Sequence, residues 1–161
     1  MKILLAADGS PFTQIAARAL ASHLGWFAKP PEVHVVHIHP QLPFPGAAAA
    51  AGRSALEKYQ REASLAALAP AGKALDAAGV AHLDVWKVGE VAGELAAYVK
   101  DHGIDLVVTG SHGYGALANL ALGSVTMKCV ATLDVPVMIV RKAPPARRVS
   151  RREKVYGPRK G

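Results

Sequence analysis

A chain of 161 residues with 51% hydrophobic content is sized for one domain with a filled core, and such a composition excludes wholesale disorder. Its net charge of +7 is unevenly held: residues 141–161 carry nine Lys/Arg against Glu153, while the first 140 carry ten against eleven Asp/Glu. A basic body built to bind nucleic acid is therefore excluded, and the single Cys129 excludes an internal disulfide framework. The opening apolar run is too short for a signal-peptide core, and no later run approaches a membrane span, so a cytoplasmic protein is expected.

In chain order, KILLAA (2–7) reads as a buried strand and ends in Asp8-Gly9-Ser10-Pro11. Ser10 suits an N-cap and Pro11 the first helical position, and helical spacing of Ile15, Ala19, Leu20, Leu24 and Phe27 predicts a helix over 11–27. EVHVVHIH (32–39) is β-branched and predicts a second strand, with His37 and His39 on one face and His34 on the other. The proline-rich stretch 40–52 reads as a loop entering a helix over 53–78, in which Pro70 predicts a kink or break near Ala69.

AHLDVWKV (81–88) alternates as a third strand, followed by a helix over 91–103 with Gly103 as its C′ residue. IDLVVTG (104–110) predicts the fourth strand, 123–133 a fourth helix and VPVMIV (135–140) the fifth strand. Strands alternating with helices imply right-handed crossovers and a parallel sheet covered on both faces. The expected fold is α/β, a single doubly wound sandwich with a five-stranded parallel sheet over 1–141, followed by a basic tail, 142–161, expected to be disordered.

Ligands of such sheets sit beyond the carboxyl ends of the strands, where the direction of winding reverses. Two strand ends carry suitable chemistry. Asp8 closes the first, and Gly110 opens GSHGYGALANLALGS (110–124) after the fourth. Glycine tolerates backbone angles that other residues avoid and lets a ligand approach the chain, a role assigned to Gly110 and Gly113. Gly123-Ser124 opens a helix whose first N–H groups, with the Ser124 hydroxyl, suit a phosphate. GYGALA (113–118) also fits a dinucleotide fingerprint, but the strand after it is the last, leaving no place for the acidic partner or a substrate domain. The three histidines of 34–39 lack further ligands at zinc spacing, and Cys129 reads as a core thiol.

The pattern G-x2-G-x9-G-[S/T], present as Gly110, Gly113, Gly123 and Ser124, resembles the nucleotide-binding signature of the universal stress protein family, in its ATP-binding form. ILLAADGSPFT, VVHIH, VGEVAGELAAYVKDHGIDLVVTGSHG and VPVMIVR are similar to that family's segments in order, over residues 2–141. The resemblance implies a stress-response regulatory protein that binds ATP, or AMP or another adenine nucleotide, with Mg2+ held only through the phosphates. It implies that Asp8 faces the adenosine near the ribose or base edge and that Ile38 meets adenine. Gly110, His112 and Gly113 would line the phosphates from one side, and Gly123, Ser124 and Val125 from the helix end. It further implies a homodimer paired through the last strand, Val137, Met138, Ile139 and Val140. Thr109 stands where methionine is frequent in the family.

Three functions compete on these residues. A binding module needs only the glycine segment and Asp8. An ATP-cleaving enzyme would want a Walker lysine, paired carboxylates or a general base, and the segment offers His112 alone, so any hydrolysis is expected to be slow. A nucleic-acid-associated protein would act through the basic tail.

Overall fold

A computed structural model of the chain describes residues 1–41, 52–113 and 122–142. In chain order its elements are β1 (Lys2–Ala6), α1 (Pro11–Ser22), β2 (Glu32–Pro40), α2 (Arg53–Asp76), β3 (His82–Gly89), α3 (Val91–His102), β4 (Leu106–Gly110), α4 (Ser124–Thr132) and β5 (Val137–Val140). All five strands are parallel, in the order β3-β2-β1-β4-β5. Winding runs outward from β1 through β2 to β3, then returns to the opposite side of β1 with β4. The reversal thus falls between β1 and β4, the two strands whose ends the sequence marks.

The continuous apolar run of β1 follows from this central position. Ile3 and Leu5 face α1 and α2 with Ala17, Leu20, Leu68 and Leu75, while Leu4 faces α3 and α4 with Leu95, Val99 and Cys129. Each of Ile3, Leu4 and Leu5 is fully buried, worth about 1.5–3 kcal/mol apiece relative to exposure. Strand β2 divides in the same way: Val33 and Val35 face the first layer, Val36 and Ile38 the second.

Helix boundaries follow their caps, with two departures from expectation. The Ser10 hydroxyl accepts from Thr13 N–H, Pro11 opens α1, and Gly103 takes the left-handed conformation after α3 (φ 61°, ψ 47°). Ile104 N–H then returns to the Val99 carbonyl, so that residue belongs to the helix cap and β4 begins later than its apolar run. The first departure is α1, which ends at Ser22 rather than near Phe27. The Ser22 hydroxyl and the His23 ring both donate to the Ala19 carbonyl, and the chain tightens into a 3-10 turn over Leu24–Trp26. The second is α2, which continues through Pro70 without the expected break. One lost donor is outweighed there by packing, since Leu68, Ala71 and Leu75 on either side of Pro70 are buried in the first layer. Most of the 40–52 loop and of the basic tail, 42–51 and 143–161, lies outside the described residues.

The turn from β1 into α1 depends on Gly9. Its φ is +80°, and a Cβ there would lie 2.9 Å from Ala67 Cα in α2. Gly103 shares the positive φ but has open space around it. Urea unfolding is therefore expected to show Gly9→Ala costing about 2–4 kcal/mol and Gly103→Ala only about 1–2 kcal/mol. Equal costs would contradict the packing account of Gly9.

Candidate functional site

The site lies beyond the carboxyl ends of β1, β2 and β4. Because β1 and β4 are neighbours whose following helices cover opposite faces, their ends splay apart and leave a cavity of about 570 Å³. Asp8, Ile38, Gly110, His112, Gly113, Gly123, Ser124 and Val125 all border it. The structure thus brings all eight sequence-derived candidates together. It adds residues that the sequence reading did not place in the site: Thr13 from α1, Val36 and Pro40 from β2, Val91 and Leu95 from α3, and Thr109 and Thr126 beside the glycines.

Asp8 is held in one orientation. Its Oδ1 accepts from Ser10 N–H at 2.9 Å and from the Thr13 hydroxyl at 2.7 Å, while Thr13 Oγ1 accepts Asp8 N–H at 3.1 Å. Thr13 is buried and spends both its donor and an acceptor on Asp8. The other carboxylate oxygen, Oδ2, lies against Gly113, where an added Cβ would collide with it. This geometry corrects one part of the role assigned to two glycines, that of unusual backbone angles. Neither Gly110 nor Gly113 has a positive φ. Gly110 is required by the close approach of Phe12, whose Cβ and carbonyl would lie 2.8 and 3.0 Å from an added Cβ, and Gly113 by the approach of Asp8.

The loop after β4 is anchored at both described ends. Ser111 N–H donates to the Val140 carbonyl, and Gly123 N–H to the Ser111 carbonyl at 2.8 Å. The Thr126 hydroxyl donates to the Gly110 carbonyl at 2.9 Å, tying the first turn of α4 to the end of β4. Gly123 is the N-cap of α4 and supplies no side-chain acceptor to it, so the first-turn amides are directed at the cavity edge without a capping group from that residue. His112 hydrogen-bonds Ser111 Oγ through Nδ1 at 3.0 Å, and its ring lies 5.3 Å from that of Phe12.

Neighbouring titratable groups are committed to the fold. Lys128, one turn beyond Ser124, donates to Glu90 at 2.9 Å. Glu90 caps α3 by accepting Gly93 N–H, and that bond, followed by the one from Lys128, holds its carboxyl below the usual range. Burial raises the Cys129 thiol, in keeping with a core residue. His37 and His39 share a face with rings 6.3 Å apart, whereas His34 bonds Tyr98 in the opposite layer.

His37 borders the cavity, donates Nδ1–H to the Ala7 carbonyl at 2.7 Å and has its pKa lowered from 6.5, chiefly by burial. Between the lowered folded value and the unfolded one, only the unfolded chain binds this proton, so stability falls as pH drops below about 6.5. Thermal unfolding of His37→Gln, which keeps an N–H donor, is expected to lose less stability over that range than the natural chain. A parallel decline in both would remove His37 as the cause.

The model of the universal stress protein family matches residues 1–141. Universal stress protein MJ0577 of Methanocaldococcus jannaschii is 33% identical over 70 residues, which span 44% of this chain and 43% of that protein. The chain thus aligns in sequence with less than half the length of this curated relative. In structure, MJ0577 superposes with a TM-score of 0.74 at 25% identity, covering 89% of this chain and 97% of the other. A universal stress protein solved in complex with cAMP gives 0.64 at 20% identity, covering 87% and 96%. An Arabidopsis thaliana member solved with AMP bound gives 0.61 at 15% identity, covering 89% and 92%. With a family model spanning the whole body, from the first strand to the residue after the last, the chain belongs to the universal stress protein family.

Proposed function

We propose that this chain is an adenine-nucleotide-binding regulatory protein of the stress response whose output is set by occupancy rather than by turnover. The observation that carries the reading is the convergence of an apolar slot, an oriented carboxylate and a helix N-terminus on one cavity. Val36, Ile38, Pro40, Val91 and Leu95 offer an apolar slot for adenine. Asp8 meets the ribose or base edge, with its Oδ2 beside Gly113 where the phosphates begin. Gly110, His112, Gly113, Gly123, Ser124 and Val125 surround the phosphates, as in ATP carrying Mg2+ on its phosphates or in AMP. That relatives of the same fold were solved with cAMP and with AMP supports an adenine ligand.

The active form in this reading is a homodimer working in the cytoplasm. Strand β5 ends the sheet, its four residues Val137–Val140 are each half-buried, and Val125, Met127 and Val130 of the neighbouring α4 are exposed. A second copy pairing along β5 would cover apolar surface that one copy leaves open.

Equilibrium dialysis with AMP and with Mg2+-ATP is expected to give saturable binding below millimolar concentration; its absence with both would overturn the reading. Thr13→Val removes the hydroxyl that orients Asp8, and is expected to weaken nucleotide binding about fivefold or more, with Thr13→Ser close to the natural chain. In an Asp8→Ala background, Thr13→Val is expected to cost nothing further, because its effect runs through Asp8. Sedimentation equilibrium is expected to give a dimer for the natural chain and a monomer for Ile139→Lys; an unchanged state would exclude β5 as the interface.

A further inference from the structure

The cavity has a charge inventory that the fold leaves short of cations. Among its described lining residues, Asp8 is the one permanent charge, and none is Lys or Arg. Of the three segments outside the described residues, two bring no charge and the third, 143–161, holds seven Lys/Arg against Glu153. Residues 42–51, LPFPGAAAAA, and 114–121, YGALANLA, contain no Lys, Arg, Asp or Glu. Lys128 does not line the cavity and pairs with Glu90 at the surface. Asp8 also stands where its charge matters most, with Oδ2 against Gly113 of the loop that frames the anion end. Opposing it are the partial positive charge of the α4 N-terminus, the Ser124 hydroxyl and the His112 imidazole, because the Thr126 hydroxyl donates to Gly110 and His37 Nδ1–H to Ala7.

We propose that this cavity sorts adenine nucleotides by phosphate charge, taking the monophosphate unaided and the triphosphate only when a divalent cation covers its charge. The proposal rests on the nucleotide reading above and adds the class of ligand to it. Each further phosphoryl group brings negative charge into a site that already holds a fixed carboxylate and offers only dipoles in return. Dipoles satisfy one phosphate's oxygens well, because their hydrogen-bonding capacity is local. They do not offset a growing net charge, whose repulsion from Asp8 acts over a longer range.

Isothermal titration of the full-length chain at pH 8 tests this with adenosine, AMP and ATP in EDTA and then in Mg2+. In EDTA, AMP is expected to bind about fivefold or more tightly than ATP, as expected for two added charges near a carboxylate at a solvated site. Mg2+ is expected to narrow that gap. Asp8→Asn, which keeps an oxygen for Ser10 N–H and Thr13, is expected to narrow it in EDTA without Mg2+. ATP binding as tightly as AMP in EDTA would overturn the proposal, as would an AMP-to-ATP ratio unmoved by Asp8→Asn. If ATP wins in EDTA and loses that advantage when Arg147, Arg148, Arg151 and Arg152 are replaced by glutamine, the basic tail supplies the charge and sorting by the cavity is excluded. Binding of AMP without discrimination leaves the nucleotide reading standing and removes this proposal alone; binding of neither nucleotide removes both.

Discussion

The parallel pairing of β1 with β4 is the constraint on which the rest depends. Ile3, Leu4 and Leu5 lie opposite Leu106, Val107 and Val108, all deeply buried, and this pairing fixes where the winding reverses. The connections after these two strands cover opposite faces of the sheet, so a gap between their ends is a consequence of topology. What fills the gap's rim is then a matter of local chemistry. Asp8 stands at one lip, Gly110 at the other, and the first turn of α4 is pinned beside them by Thr126. Shifting the β1–β4 register would separate the carboxylate from the glycines and dismantle the site without touching any residue in it.

Within that frame the glycines do mechanical work. Gly9 lets the chain turn beneath α2, Gly110 admits Phe12, and Gly113 admits the Asp8 carboxylate. The first turn of α1 is therefore seated directly on the end of β4. Thr13, from that same turn, brackets Asp8 through two hydrogen bonds, so helix packing and carboxylate orientation are set together. This coupling gives a physical route from occupancy to conformation. A ligand that pulls on Asp8 also pulls on α1, and α1 packs against both α2 and β5.

Much of this was legible in the sequence, for identifiable reasons. The apolar run of β1 reported a strand buried on both sides, Ser10-Pro11 reported a helix start, and Gly103 reported a helix end, because each signal is local. Asp8 and the glycine spacing marked residues that border one cavity, because strand ends at a reversal of winding splay apart. The misreadings arise where a distant partner decides. Phe12, nearly a hundred residues from Gly110, explains why that position lacks a side chain, and no local pattern announces it. Thr13 reads as an ordinary helical residue until Asp8 is placed beside it. Pro70 reads as a break until the sheet holds both sides of its helix in line. The early end of α1 reflects two side chains competing for one carbonyl, a local effect that hydrophobic periodicity does not register.

In the proposed nucleotide site, backbone amides from the end of β4 and the start of α4 converge on one anion. Amide chemical shifts of the 15N-labelled chain, followed as AMP is added, test it most directly. The largest perturbations are expected on His112, Gly113, Ser124 and Val125, with Asp8 close behind. Saturation by AMP with those amides unmoved, or with shifts concentrated along α2 and β3, would contradict it.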